Sequence, residues 1–451
     1  MSRPPCDVLV LGASFLGAEL VYLLRNRAPA LRVTVVDRQR SHGYIPLVHE
    51  RLVGRLDWEG SRFRTAEFVE RAGATFVHGE VIAFDPRRKQ VTLAGGRTLR
   101  GRFVVIALGS VTAPPPRLPG AGCFEGHKLA AETAAARDRI ARVLSPVTGR
   151  EERPHAVVVG GGISGSELAG ELAHLAANRP MTLRPPRVTL VNGGARLVES
   201  LSPKISDAVD ARLRDQGVEI LHATRVVGAE PGGVTVVDAL GQRTRLPSDL
   251  AFWCGGVRPP LVLAQLGLPL TDDGWLRVDE ALSCPGFGPD ILSGGDCARV
   301  LDATGARWPT MQRAIEGLWA AETIAWQVVR LSREQPGYPR GIPELRRHPL
   351  RPDFFHGLSL GSRSPVVYGD WLCDLGSVNI AFRRFLMWGY LCRYGQWPHP
   401  ALEALFHGQV TPRAHRHLGE AHAADAQPLR LERAEPDGLT EGDHLPRTDR
   451  L

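Results

Sequence analysis

Lysine is nearly missing from this chain. Of 55 basic residues only Lys89, Lys128 and Lys204 are lysine, leaving 55 − 3 = 52 arginines. With arginine, alanine and proline all abundant, the formal charge of +7 reflects compositional bias. Without basic residues clustered on one motif it gives no footing for nucleic acid. Cysteine is sparse and irregular: seven residues, at 6, 123, 254, 284, 297, 373 and 392, with the nearest pair 297 − 284 = 13 positions apart. No CxxC, CxxxxC or CxxCH occurs, which excludes a sequence-local redox disulfide, a zinc knuckle and covalent haem attachment. The odd count reads as reduced thiols in a cytoplasmic protein, with Cys123, Cys254 and Cys297 as small buried apolar groups and no metal centre. No run reaches the roughly 18 apolar residues of a membrane span. The N-terminus reads as lacking the charged leader, apolar core and cleavage site of a secretory signal. Apolar residues at 43% and charged residues at 23% fit a folded protein.

What is present is a repeated device. Val8 to Leu11 is a short continuous apolar run, as expected of a strand buried on both faces of a parallel sheet. It stops at Gly12-Ala-Ser14-Phe15-Leu-Gly17, a helical pattern follows, and Arg32 to Asp37 returns as a second strand. The same order recurs at Ala156 to Val159, Gly160-Gly-Gly162-Ile163-Ser-Gly165, a helix carrying Glu167, and Val188 to Asn192. In such a βαβ unit the first glycine permits the tight turn, the second lets backbone approach a pyrophosphate, and the third lets helix pack on strand. The helix N-terminus then offers N–H groups and a partial positive charge to phosphate. Gly160, Gly162 and Gly165 satisfy all three positions, whereas Ser14 stands at the middle one of the first unit. Asp37 suits a ribose diol and repels a 2′-phosphate. Its counterpart Asn192 is neutral, with Arg196 nearby, so NADH and NADPH both stay open. Each unit is followed by an apolar strand ending in small residues, Ala107-Leu-Gly109-Ser110 and Cys254-Gly255-Gly256. A further strand ends at Gly295-Asp296, and a helix is predicted from Met311 to about Leu331 behind Trp308-Pro-Thr310.

These motifs, with Ile45-Pro46-Leu47-Val-His-Glu50 after the first acidic strand, resemble the two-dinucleotide flavoproteins related to the pyridine nucleotide-disulfide oxidoreductases. Within them the chain looks most like type II NADH dehydrogenase (NADH:quinone oxidoreductase), over roughly residues 5–335. The resemblance implies an α/β fold of two Rossmann-like domains. A discontinuous FAD domain would span 1–150 and 276–335, with an inserted NAD(P)H domain at 151–275. It implies that Gly12, Ser14, Phe15, Gly17, Asp37 and Arg38 hold FAD, with Val81 near adenine, Pro46, Leu47, Ala107 and Gly109 along the flavin, and Asp296 on the ribityl chain. Gly160, Gly162, Ile163, Gly165 and Asn192 would hold NAD(P)H, with Gly255 and Gly256 beside the nicotinamide. Glu167 would lie where nicotinamide meets flavin, or else be an exposed helix glutamate. Gln312, in Met311-Gln-Arg-Ala-Ile-Glu316, would face the electron acceptor, with Met311 and Glu316 departing from the family pattern. Hydride transfer between two stacked rings requires positioning rather than a protein nucleophile.

The acceptor implied is a quinone. A soluble redox protein or small metabolite, and an NADH-sensing flavoprotein without fast turnover, are the alternatives. Residues 336–418 read as a small α+β segment. Within it, 379–394 mixes Phe382, Phe385, Leu386, Trp388 and Tyr390 with Arg383, Arg384 and Arg393. That composition suits an interfacial helix with cationic edges, on the cytoplasmic face of the inner membrane, or else a homodimer or core-covering helix. The tail 419–451 reads as disordered.

Overall fold

The computed structural model describes residues 6–112, 117–145, 152–177, 185–302, 304–306, 312–333, 345–349 and 355–396. The tail 419–451, Met311 and Trp308 to Thr310 lie outside the described residues.

The first sheet is built on strand Cys6–Leu11, whose six residues are all buried. Five parallel strands run in the order Thr75–His78, Val33–Asp37, Cys6–Leu11, Thr98–Ile106 and Ile291–Ser293. The fifth arrives only after the whole second unit, so the first domain is discontinuous and the second is inserted within it. Continuous Val/Leu/Ile runs such as Val8 to Leu11 and Phe103 to Ile106 are what a sheet covered on both faces needs. The N-terminal half of Thr98–Ile106 also joins an antiparallel flap with Gln90–Leu93 and Val81–Asp85. Helices Phe15–Arg27 and Ala314–Ser332 pack together on this sheet.

The second sheet repeats the plan with four parallel strands in the order Val218–Leu221, Arg187–Val191, His155–Val159 and Leu250–Trp253. Helix Ile163–Ala177 follows its Gly-rich turn, and three antiparallel strands (Arg225–Glu230, Gly233–Val237, Arg243–Pro247) form a side sheet.

The predicted helix from Met311 begins later, at Ala314. Arg313 is extended (φ −121°, ψ 149°), and Gln312 is held by donating from Nε2 to the Asp296 carbonyl at 3.0 Å. The seven cysteines are free thiols. Cys254 and Cys297 are buried as expected, whereas Cys123 is only half-buried, on a short 3-10 turn.

The C-terminal segment is a three-stranded antiparallel sheet (His356–Gly357, Val366–Tyr368, Trp371–Cys373) and helix Ser377–Arg393. Here one expectation is reversed. Arg383 and Arg384 are not cationic edges at the surface but are buried on the inward face with Met387, Tyr390 and Leu391. The outward face carries Val378, Phe382, Phe385 and Leu386. The guanidinium groups go inward because buried carboxylates of the two nucleotide domains are there to receive them, and an unpaired carboxylate in that environment would be prohibitive.

The far end of this helix is pinned to the first domain. Glu19, on the first Gly-rich helix, accepts from Arg393 Nη2 (2.6 Å), Arg393 Nε (3.0 Å) and the Tyr394 hydroxyl (2.6 Å). Tyr394 also packs edge-on against Phe63, Phe68 and Tyr22. Replacing Glu19 by alanine leaves the buried Tyr394 hydroxyl without its acceptor. The expected cost is about 1–3 kcal/mol, read as a lower denaturant midpoint with unchanged slope. An unchanged midpoint would show that this end of the helix is not held by Glu19.

Candidate functional site

A cavity of about 620 Å³ lies over the first Gly-rich turn. Its walls include Gly12, Ser14, Phe15, Asp37, Arg38, Val81, Ala107, Gly109, Asp296 and Gln312, ten of the residues singled out from the sequence. Gly12 has φ +100°, and a Cβ there would stand 2.2 Å from the Ala107 carbonyl oxygen. A Cβ on Gly17 would stand 2.1 Å from the Gly12 carbonyl oxygen, so Gly17 packs helix on strand and stays outside the cavity. Asp37 accepts from the backbone N–H of Ala13 (2.7 Å) and Gln39 (2.8 Å). Burial pushes its carboxyl up, and those two N–H groups oppose the rise. The helix that follows has no acidic residue in its first turn and no side-chain cap, leaving its N–H groups for an anion. Volume, glycine cradle and strand-end carboxylate together fit an adenine dinucleotide such as FAD. Pro46 and Leu47 sit beside the cavity rather than in it. Their neighbour Ile45 lines it, while Leu47 is fully buried.

The second turn has the same construction. Gly160 has φ +111°, and its Cβ would fall 2.4 Å from the Cys254 carbonyl oxygen. Gly165's Cβ would fall 1.8 Å from the Gly160 carbonyl oxygen. Gly162 is exposed with open space around it, as the residue facing a pyrophosphate must be. Ile163 opens the helix, again with no acidic residue in the first turn. Gly255 lies against the Trp253 ring, and Gly256 takes φ +105° facing open space. Asn192 is buried and bonded within its own turn: its Nδ2 donates to the carbonyls of Gly194 (3.0 Å) and Arg196 (2.9 Å).

Between the turns lies a buried ionic cluster that the sequence disclosed only in part. Glu167 is 6% exposed. Its Oε1 accepts from Arg383 Nη2 (3.1 Å) and the Ser359 N–H (2.9 Å), and Oε2 lies 3.4 Å from His49 Nδ1. Arg383 also donates to the Pro46 carbonyl (2.9 Å) and to Ser364 Oγ (3.3 Å). One guanidinium therefore bridges the loop of the first domain to the helix of the second. Behind it Arg55 pairs with Glu171 (2.6 Å) and Arg384 with Glu50 (2.9 Å), and Ser359 Oγ donates to Glu171 (2.7 Å). Glu167 is thus a held, buried carboxylate and not an exposed one. Burial pushes it up to about 7 against the pull of Arg383. His49 and His127 are pushed down by burial, and Cys254 is pushed up to about 12, which leaves its thiol unreactive. His49, Glu50 and Glu171 come together closely enough to suggest a cation site, but Arg384 and Arg55 already answer the two carboxylates.

On the other side, Ser110 Oγ donates to Asp296 Oδ2 (2.6 Å), and Lys128 Nζ reaches both Ser110 Oγ and Asp296 (3.5 Å). Lys128 lines the cavity, and burial pushes its ammonium down while Asp296 holds it up. Sequence reasoning passed over it, although a lysine kept amid 52 arginines was a usable signal. Gln312 and Arg313 also line the cavity, and Arg313 pairs with the buried Glu316. The carboxylate that Glu316 brings in departing from the family pattern is therefore compensated on the spot.

Two dinucleotide cradles in one chain, with a buried charge cluster between them, define an oxidoreductase that works with two nucleotides. The chain belongs to the pyridine nucleotide-disulphide oxidoreductase family, whose pattern matches residues 6–318. It is similar to a type II NADH:quinone oxidoreductase of Haemophilus influenzae, 26% identical over 369 residues that cover 73% of this chain and 81% of the relative. It is similar also to a demethylphylloquinone reductase of Synechocystis, 26% identical over 374 residues, 81% of this chain and 86% of the relative. In fold it matches NDH2 of Plasmodium falciparum, solved in complex with NADH, with a TM-score of 0.76 at 14% identity, covering 89% of this chain and 97% of the other. The resemblance read from the motifs is borne out.

Two outcomes follow from this geometry. Gly160→Val drives a side chain into the Cys254 carbonyl at a backbone angle valine rarely adopts. NADH should then no longer bleach the protein's yellow colour, while flavin content stays that of the unaltered chain. Loss of flavin instead would mean that the two nucleotide sites are assigned the wrong way round. The second outcome concerns pH. Glu167 has a folded value of about 7, above its ordinary 4.5. Its contribution to stability is complete below about pH 4.5 and is lost as pH rises through about 7. Glu167→Gln, isosteric with the protonated acid, should flatten the decline of melting temperature across that window. Parallel curves would refute the burial argument.

Proposed function

We propose that this chain is an FAD-dependent NADH dehydrogenase that passes two electrons to a quinone at a membrane surface. The observation that carries this reading is the duplicated glycine cradle, one copy opening onto a cavity large enough for a dinucleotide. A flavin held there supplies two-electron chemistry, accepting hydride from a nicotinamide and giving electrons to an acceptor.

The chain's own part is positional. Gly12, Ser14 and the helix N-terminus at Phe15 would hold one pyrophosphate, with Asp37 on its ribose. Gly160, Gly162 and Gly165 would hold the other. Arg383, bonded to both Pro46 and Glu167, fixes the separation of the two cradles. Misplacing reacting groups by about 1 Å costs on the order of 100-fold in rate. Gln312, oriented by its bond to the Asp296 carbonyl, borders the cavity where an acceptor carbonyl would need a donor. The quinone is supported by the activities for which the Haemophilus and Synechocystis relatives are named.

Membrane attachment rests on the outward face of helix Ser377–Arg393 and its neighbouring hairpin. Trp371, Leu375, Val378, Phe382, Phe385, Leu386, Phe355 and Tyr368 are between 43% and 60% exposed. Exposed apolar side chains gathered on one helix and its neighbouring hairpin mark an interaction face. Among the described residues no helix is long and apolar enough to cross a membrane, so attachment would be to one leaflet. The same face would also serve a second copy of the chain.

Under anaerobic conditions NADH should bleach the flavin and a short-chain quinone should restore it. Anionic vesicles should stimulate turnover with a long-chain quinone, and Phe382→Ser/Phe385→Ser should remove that stimulation. An unbleached spectrum sinks the dehydrogenase reading. Bleaching with indifference to vesicles, and a dimer that the double variant splits, would assign the face to self-association.

A further inference from the structure

The two cradles differ where the second strand of each unit ends. In the first, Asp37 lies in the cavity wall, its carboxylate steadied by two backbone N–H groups. In the second, Asn192 stands at that place, buried and uncharged. Its Nδ2 donates to the carbonyls of Gly194 and Arg196 and lies 3.1 Å from His222 Nδ1, while its Oδ1 accepts from the Gly194 N–H at 3.3 Å. A Cβ on Gly161 would come within 2.4 Å of that oxygen. Asn192 shapes the turn 193–196, spends its Nδ2 donors within it and brings no charge to a ligand.

A carboxylate nevertheless lies over this turn, and it comes from seven positions further along the chain (199 − 192 = 7). Glu199 folds back so that Oε1 accepts from the Arg196 N–H at 3.3 Å and rests on Gly194, where a Cβ would meet it at 2.3 Å. Only glycine at 194 admits that approach. Glu199 is exposed, and among the described residues no cation forms an ion pair with it. The other charges at the turn are the exposed Arg196 and Arg225, the latter with its Cγ running 3.7 Å from where a Gly193 Cβ would be, and the His222–Asp210 pair behind Asn192 (2.5 Å).

We propose that Glu199 takes the role of the missing strand-end acid: it receives the adenosine-ribose diol of the pyridine nucleotide and makes the chain select NADH over NADPH. The inference rests on the second cradle binding a pyridine nucleotide, as argued above. A carboxylate accepts both diol hydroxyls, which in this family of folds is the work of an acid at the strand end. The same carboxylate meets a 2′-phosphate as a like charge, which is the repulsive element that discrimination needs. Arg196 and Arg225 would reward a phosphate, so the preference is decided by which sign lies over the turn, and that group is Glu199.

The test uses the flavin-loaded protein with ADP-ribose and 2′-phospho-ADP-ribose as probes, titrated by calorimetry, and kcat/KM for NADH and NADPH in parallel. The unaltered chain should bind ADP-ribose at least about tenfold more tightly, and prefer NADH by a similar factor, for a difference near 1.4 kcal/mol. Glu199→Gln should close most of that gap, raising KM for NADH and lowering KM for NADPH. Arg225→Gln should leave the order of preference as it was. The proposal is overturned if Glu199→Gln leaves the ratio of the two affinities unchanged. It is overturned too if the unaltered chain binds the phosphorylated probe more tightly and Arg225→Gln abolishes that advantage. Failure of both probes to bind, with neither nucleotide bleaching the flavin, would remove the dehydrogenase reading itself. Intact binding with unaltered discrimination removes only Glu199.

Discussion

One guanidinium sets the geometry on which the rest depends. Arg383 reaches from the C-terminal helix to a carbonyl of the first nucleotide domain and to a carboxylate of the second, all within a region that water barely enters. Two domains joined by a discontinuous chain need such a fixture, because among the described residues no strand of one sheet pairs with a strand of the other. A buried ion pair is poor as a source of stability, since desolvation offsets most of its Coulomb gain, yet removing one partner typically costs about 3–5 kcal/mol. It is therefore a strict register mark: any other placement of the helix leaves Glu167, Glu171 or Glu50 as an unanswered charge. The cluster has three carboxylates and three guanidinium groups, Arg55, Arg383 and Arg384, so its charges close only when all three segments are docked.

The glycine cradles show the same physics used twice with different finishing. In both, the first glycine is pressed against a carbonyl at the end of the adjoining strand and the third against the carbonyl of the first, leaving no room for a methyl group. What varies is whatever the cradle does not constrain: serine or glycine in the middle, and aspartate or asparagine at the strand end. The first variation leaves the helix N-terminus open. The second relocates a negative charge into a turn whose glycine at 194 makes room for it.

Much of this was legible in the sequence because its causes are local. A buried parallel strand must read as a continuous apolar run, and a backbone turn at φ of +100° or more must be glycine, so Val8 to Leu11, Gly12 and Gly160 declare themselves without tertiary knowledge. Of the ten cavity residues, Gly12, Ser14 and Asp37 follow from that frame, whereas Val81, Asp296 and Gln312 were implied by the family resemblance. The arginines of the last helix could not be read in the same way. Arg383 and Glu167 are 216 positions apart, and Arg384 and Glu50 are 334 apart. Beside Phe382 and Phe385 the arginines have the composition of a cationic membrane edge. Only the position of the buried carboxylates decides that the charged stripe is the inner one. Asn192 misleads for a related reason, since its place on the strand was right and its side chain was already committed to the turn.

The last helix therefore joins two tasks that sequence composition would have kept apart. On its inward stripe Arg383 and Arg384 complete the charge cluster between the cradles while Tyr390 packs on Phe15, Tyr44 and Phe63, and its outward stripe of Val378, Phe382, Phe385 and Leu386 is exposed and apolar. A helix has only so much circumference, so the residues that settle one face fix the rotation of the other. Because Arg383 cannot leave Glu167 without stranding a charge, the outward face cannot turn away while the nucleotide domains are in register. Whatever surface that face meets is therefore presented with a cofactor site already assembled, and the site is assembled only when that face is on offer.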